Sequence, residues 1–380
     1  MNSFVNTNAK KLAIYLPSLR GGGAERVMVT LANGFAARGF AVDLVLASKE
    51  GPYLKDVADN VRVVDLHARR VLTSLPGLVR YLRRERPSVM LSALNHANVI
   101  AVLARSLSAV RTRLVVSERN HFSASGYHGK RWIVRQMRRF MAWAYPHADG
   151  VVVVSKGVGD DLVQCIGLNE SAISVVYNPI DVDVVAQRSR EDVSHPWLQP
   201  GELPVVVAIG RLTPQKDFPT LLRAFARLRQ TQCARLLILG EGELRPQLEM
   251  LVAELGLQDH AGLPGFADNP FAYLSRSALF VLSSAWEGLP NVLIQAMACG
   301  TPVVSTACPS GPEEILEHGR WGRLVPVGDE VALAEAMAAA LQQEAHPDVA
   351  ARAAEFGVDR AVDGYLRVML PGIGSETSRQ

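Results

Sequence analysis

Cysteine is scarce and scattered. Cys165, Cys233, Cys299 and Cys308 contain no CxxC pair, which excludes a disulfide framework and a thiolate zinc site and fits a reducing compartment. Long apolar runs are missing as well: the longest are strand-sized, such as Val151-Val152-Val153-Val154, against the ~18 residues needed to cross a bilayer. The start, Met1 to Lys10, is polar and lacks the apolar centre of a secretory signal, so the expected location is cytoplasmic. No GxSxG elbow, no GK[ST] phosphate loop and no His/Asp/Glu cluster with metal-ligand spacing occurs, so no metal and no resident cofactor is expected. Aromatics make up only 6% of the 380 residues and form no RNA-type motif, which argues against a nucleic-acid partner. What is present is 48% hydrophobic and 20% charged, enough to build globular cores in two or three domains.

Charge divides the chain. Up to Arg190 there are 26 lysines and arginines against 14 acidic residues, and beyond it 14 against 23, so the halves carry +12 and −9 although the total is only +3. The asymmetry suggests two domains, the first facing anionic lipid, nucleic acid or a phosphorylated substrate, unless its arginines are merely solvated. From Lys130 to Trp143 the sequence reads as a helix. Ile133, Met137, Phe140 and Met141 recur at helical spacing, while Arg131, Arg135, Arg138 and Arg139 project elsewhere. That pattern suits either an anionic membrane surface or an ordinary core-facing helix.

Strand-like and helical runs alternate along nearly the whole chain, which predicts parallel sheets covered by helices. Strands are expected at 11–16, 41–47, 61–66, 88–94, 113–117 and 150–155 in the first half, and at 205–210, 235–239, 278–282 and 302–305 in the second. Pro196, Pro200, Gly201 and Pro204 mark the expected linker. The expected architecture is therefore α/β: a Rossmann-like domain over residues 1–190, a second over 191–354, and a closing helix and tail over 355–380 that return to the first. Ligands of such sheets bind beyond the carboxyl ends of the strands, which predicts a cleft between facing domains.

Candidate chemistry lies at those strand ends. Gly21-Gly22-Gly23 joins a strand to a helix and allows close approach of backbone to an anion, but it matches neither the dinucleotide nor the P-loop spacing. Arg211 and Lys216 follow Ile209-Gly210, where a guanidinium and an ammonium can neutralise a departing pyrophosphate. The run Leu282 to Val304 reads strand, loop, helix, glycine stop, strand; it places Glu287 in the loop, Pro290 in the first helical turn and Gln295 about two turns in. Asp181-Val182-Asp183 imitates a metal motif but sits beside Asn178-Pro179, and is read as structural.

This last region resembles the glutamate-x7-glutamate segment of retaining glycosyltransferases of family 4, which have the GT-B fold of two Rossmann-like domains facing across a cleft. The resemblance extends through Gly21 to Arg26, Val116 to Asn120, Tyr177 to Ile180, Gly210 to Leu212 with Lys216-Asp217, Leu239 to Gly242, and Gly265-Phe266 with Asn269-Pro270. It implies a metal-independent hexosyltransferase that uses a nucleoside-diphosphate sugar, with UDP the nucleotide indicated, and a saccharide or lipid-linked acceptor. Arg211 and Lys216 would bind the diphosphate and Glu287 the sugar hydroxyls. Gly288, Leu289, Pro290, Asn291 and Val292 would contribute backbone groups, and Gly22 and Gly23 would close over the phosphate. Gly265 and Phe266 would lie by the base, with Glu241 lining the same site. His121 would stand near the sugar, and Asn95, His96, Glu118, Arg119 and Asn120 near the acceptor. The chain departs from the family at Gln295, where the second glutamate would hold the ribose; an amide still accepts a hydroxyl hydrogen bond, without the negative charge. Two other readings remain open: a sugar-nucleotide epimerase of the same plan, and a non-catalytic nucleotide-sugar-binding protein.

Overall fold

The computed structural model describes residues 10–20, 22–126 and 131–371; Gly21 and Lys130 lie outside them. The chain before Ile180 together with the chain from Val358 onward forms one compact unit, and Ile180–Gly357 forms the other.

The first unit carries seven parallel strands: β1 (Lys11–Leu16), β2 (Ala41–Leu46), β3 (Val61–Asp65), β4 (Val89–Ala93), β5 (Arg113–Glu118), β6 (Gly150–Val153) and β7 (Ile173–Val175). Their order is β3-β2-β1-β4-β5-β6-β7. Runs such as Leu12-Ala13-Ile14-Tyr15-Leu16 are wholly buried and do not alternate, as expected for strands with both faces covered. The helices are α1 (Gly23–Ala37), α2 (Leu75–Glu85), α3 (Asn95–Ser108), α4 (Phe122–Gly126), α5 (Arg131–Ala144) and α6 (Lys156–Ile166).

The second unit opens with α7 (Val182–Ser189), whose N-cap is Asp181, accepting from the Val184 amide at 3.0 Å. Its six parallel strands are β8 (Val205–Ile209), β9 (Arg235–Leu239), β10 (Ala261–Gly265), β11 (Leu279–Leu282), β12 (Val303–Thr306) and β13 (Arg323–Val325), in the order β10-β9-β8-β11-β12-β13. Its further helices are α8 (Phe218–Leu228), α9 (Arg245–Glu254), α10 (Pro270–Leu274), α11 (Asn291–Ala298), α12 (Pro312–Ile315), α13 (Glu330–Leu341) and α14 (Val349–Ala354). The last helix, α15 (Val358–Met369), belongs to the first unit.

The division differs from the one expected after Arg190, and Pro196 to Pro204 is not the linker. α7 belongs to the second unit because it packs on α10 and α11, with Asn269 Nδ2 donating to the Arg188 carbonyl at 2.8 Å. Trp197 is held there too, under the Arg235 guanidinium at 5.1 Å. The crossing falls instead at Pro179/Ile180, and the return at Gly357/Val358 rather than at residue 355.

The helix α15 closes the first unit. Tyr365 is fully buried, its hydroxyl 3.2 Å from both Ser117 Oγ and Arg119 Nη1, and Arg38, the C-cap of α1, donates to Asp359 and Asp363 at 2.7 and 2.6 Å. Where the helices cross, Gly34 leaves no room for a side chain: a Cβ would stand 2.5 Å from Val362 Cγ2. Gly34→Leu is expected to cost about 1–3 kcal/mol of stability through overpacking. Adding Val362→Ala should recover part of that loss in urea denaturation; an unchanged midpoint for the single variant would show that α15 does not pack tightly here.

Candidate active site

Each sheet has one place where the chain reverses its direction of build-up, between β1 and β4 in the first unit and between β8 and β11 in the second. Loops leaving the carboxyl ends of such neighbouring strands diverge to opposite faces and leave a crevice for ligands. In the second unit those loops carry Arg211 and Lys216 after β8 and Glu287 after β11. In the first they carry Gly22 and Gly23 after β1, and Asn95 and His96 after β4.

In the second unit, the Lys216 ammonium meets Glu287 Oε1 at 2.6 Å, with only 15% and 8% of the two side chains exposed. A buried carboxylate of this kind needs further donors, and it has them. Ser284 Oγ donates to the same oxygen at 2.6 Å, and Gln215 Nε2 approaches Oε2 at 3.4 Å while donating to the Trp286 carbonyl at 3.0 Å. The loops are tied together by the Ala285 amide on the Gln215 carbonyl at 2.8 Å and Ser283 Oγ on the Lys216 carbonyl at 2.7 Å. Glycine makes this arrangement possible: a Cβ on Gly210 would lie 2.8 Å from Lys216 Cε, so the lysine stem lies over bare backbone. Asp217, at φ +44°, turns the chain sharply from the short helical turn Pro214–Lys216 into α8.

Arg211 differs from Lys216. It is exposed, and its guanidinium forms no ion pair or hydrogen bond among the described residues. Beyond Glu287, α11 begins after Pro290 with no side-chain cap, and Gly288, Leu289 and Pro290 are buried. Gln295 is half-buried on that helix, its amide without a partner among the described residues. Cys308 lies near Glu287, but burial, reinforced by that carboxylate, pushes its thiol up to about 12, so it supplies no thiolate nucleophile near neutrality.

Sequence reasoning missed part of this framework. Ser284 and Gln215 carry no role in the sequence reading, and neither does the loop after β12. There Gly311, at φ +96°, packs against the glycine-rich run: a Cβ would stand 2.6 Å from Pro290 Cδ and 3.2 Å from the Gly288 carbonyl. The signal was available, since Ser310-Gly311-Pro312 follows a strand end as the other site loops do.

The remaining residues of the second unit are placed less centrally. Glu241 follows β9 and is held in a two-pronged pair with Arg245 at 2.8 Å on each arm. Gly265 ends β10, where a Cβ would lie 2.9 Å from Glu241 Oε1, and Phe266 is 76% exposed.

In the first unit, Gly22 is the N-cap of α1, and the Glu25 carboxylate folds back to 2.1 Å from where a Gly22 Cβ would be. Gly23 is the first residue of that helix. Asn95 and His96 open α3, the His96 ring donating through Nδ1 to Asn95 Oδ1 at 3.2 Å. Glu118 and Arg119 have partners inside the unit. The Glu118 carboxylate accepts from Tyr145 at 2.6 Å, while burial pushes its pKa above the usual carboxylate range. Arg119 donates to Asn178 Oδ1 at 2.5 Å and to Tyr365. Asn120 is exposed. His121 is mostly covered, its Nδ1 facing Asp161 Oδ1 at 3.5 Å, the Ser123 hydroxyl at 3.3 Å and the Ala124 amide at 3.4 Å. Among the described residues, no group of three or more His, Cys, Asp or Glu side chains is placed to hold a metal ion.

The strength of the Lys216–Glu287 pair is measurable. Lys216→Met or Glu287→Gln alone leaves a buried partner unmatched and is expected to cost about 3 kcal/mol. The double variant should cost less than the sum, with a coupling of about 0.5–3 kcal/mol in urea denaturation. Strict additivity would mean the two side chains do not interact.

Residues 203–343 match the family model Glycosyl transferases group 1, and residues 21–184 match Glycosyltransferase Family 4. The chain is 31% identical over 347 residues to the N-acetylgalactosamine-N,N'-diacetylbacillosaminyl-diphospho-undecaprenol 4-alpha-N-acetylgalactosaminyltransferase of Campylobacter jejuni, spanning 88% of this chain and 91% of that one. It is 28% identical over 351 residues to the lipopolysaccharide core biosynthesis glycosyltransferase LpsE of Rhizobium meliloti, spanning 91% and 92%. In fold it matches HepE of Anabaena, solved with UDP and glucose, with a TM-score of 0.77 at 21% identity over 94% of this chain and 99% of that one. Two parallel Rossmann-like sheets, family matches in both halves and a relative aligned over most of both chains lead to one conclusion: this chain belongs to the glycosyltransferases and has the GT-B fold.

Proposed function

We propose that the protein is a retaining, metal-independent transferase of family 4 that moves a hexose or N-acetylhexosamine from a UDP-sugar to a lipid-linked saccharide in cell-surface glycan synthesis. The observation that carries this reading is the array at the carboxyl edge of the second sheet: an exposed Arg211 with no ion pair among the described residues, a buried Lys216–Glu287 pair and the start of α11, where Pro290 supplies no side-chain cap. A helix start and two cations suit a diphosphate, and a carboxylate fixed between Lys216 and Ser284 suits sugar hydroxyls. The names of the Campylobacter and Rhizobium relatives support a lipid-linked, cell-surface acceptor. Work on such an acceptor would put the protein at the cytoplasmic membrane surface, with the basic first unit toward the acceptor through Asn95, His96, Asn120 and His121, while the buried Glu118 and Arg119 support that segment from inside.

In the reaction proposed, the acceptor hydroxyl oxygen bonds to the anomeric carbon on the face from which UDP leaves. The bond from that carbon to the β-phosphate oxygen breaks, and the hydroxyl proton passes to the departing phosphate. Leaving-group charge then decides the rate, and Arg211 and Lys216 are the groups that neutralise it. No resident cofactor enters this scheme.

Mass-spectrometric detection of transfer from a panel of UDP-sugars to a membrane lipid extract tests the reading. Arg211→Ala, Lys216→Ala and Glu287→Ala are each expected to lower turnover by about 100-fold or more. Equal activity in all four proteins would refute the site, and UDP binding without transfer or hydrolysis would make the protein a binding protein instead. Gln295→Glu, which restores a charged acceptor for a ribose hydroxyl, should lower the donor KM about fivefold; an unchanged KM would remove Gln295 from the donor site.

A further inference from the structure

The helix α5 does not present the face its sequence suggests. Met141 and Ala144 are fully buried and Met137 is half-buried, so these positions face the core. Phe140, expected beside them, is 53% exposed. Trp132, Arg135, Arg139 and Trp143 follow one another at steps of three and four residues, which puts them on a single outward stripe. Trp132 is 65% and Trp143 45% exposed, whereas Trp197, Trp286 and Trp321 are at least partly covered. The helix contains four arginines and no acidic residue, and Arg135, Arg138 and Arg139 form no ion pair among the described residues.

Leaving three large aromatics in water is unfavourable, and neighbouring arginines do not relieve it. The combination becomes favourable where indole and phenyl rings sink into an apolar boundary while guanidinium groups reach anionic oxygens at the same level. A second copy of this chain is a poorer occupant. A two-fold contact through this stripe would set its arginines against their own copies, with no carboxylate on the helix to separate them.

We propose that the outward face of α5 is a docking surface for anionic phospholipid, with Trp132, Phe140 and Trp143 inserted at the interface and Arg135, Arg138 and Arg139 on the headgroups. The proposal deepens the lipid-linked acceptor reading and rests on it for its purpose: docking brings the first unit to the plane in which such an acceptor is held.

Sedimentation of the full chain with vesicles tests it. The protein should bind vesicles of phosphatidylglycerol and phosphatidylcholine at least about tenfold more tightly than vesicles of phosphatidylcholine alone, and release as NaCl rises from about 0.1 M to about 0.5 M. Arg135→Gln with Arg139→Gln should weaken binding to the mixed vesicles by about tenfold or more, and Trp132→Ala with Trp143→Ala should do so as well. Circular dichroism and UDP affinity should match the parent, because these side chains are exposed and remote in sequence from the donor loops. Equal binding to both vesicle types, no binding at all, or variants that bind like the parent would overturn the proposal. So would a dimer in sedimentation velocity that the tryptophan variant disperses. Vesicle binding does not depend on turnover, so its failure stands apart from failure of the transferase reading, which is seen as absent transfer from every UDP-sugar.

Discussion

A lysine and a glutamate buried together on neighbouring strand-end loops impose the central constraint on the second unit. Neither charge can be left alone at that depth, so the loop after β8 and the loop after β11 must arrive at matching heights and stay there. Ser284 and Gln215 complete the carboxylate's partners, and the Ala285 and Ser283 hydrogen bonds lock the two backbones. The sheet order makes this possible by placing β8 beside β11, and the glycines at 210 and 311 remove the bulk that would hold the loops apart. Such a site is organised before any ligand enters, so less of the binding energy is consumed in ordering it.

Much of this was legible in the sequence because strand-length runs of valine, leucine and isoleucine cannot be mistaken for amphipathic helices, and each was followed by glycine or polar residues at its carboxyl end. The strands Lys11–Leu16, Arg235–Leu239 and Val205–Ile209 were visible for that reason. Ala261–Gly265 was not: two glycines and Pro264 look like a loop, and the segment is a strand only because it lies at a sheet edge, where proline's missing donor does no harm. The three-residue strand Arg323–Val325 is too short to carry a pattern.

Side-chain partnerships were harder. Glu118-Arg119 after a strand has the look of ligand chemistry, and only the fold shows that Tyr145, Asn178 and Tyr365 meet them. Nothing local announces a partner 246 positions away. Helical periodicity likewise identified α5 but not which of its apolar residues turn inward, since Phe140 and Met141 are adjacent and differ by about 100° around the helix.

The return of α15 to the first unit has a consequence for biosynthesis. A ribosome delivers Val362, Tyr365 and Met369 only after the whole second unit, yet all three sit in the core that β1, α1 and β5 begin to assemble hundreds of codons earlier. The core of the first unit therefore cannot be filled until the Ile180–Gly357 body, contiguous in the chain, has been made. Nascent chains stalled before Val358 would expose that gap, so the arrival of α15 is the step that completes the first unit.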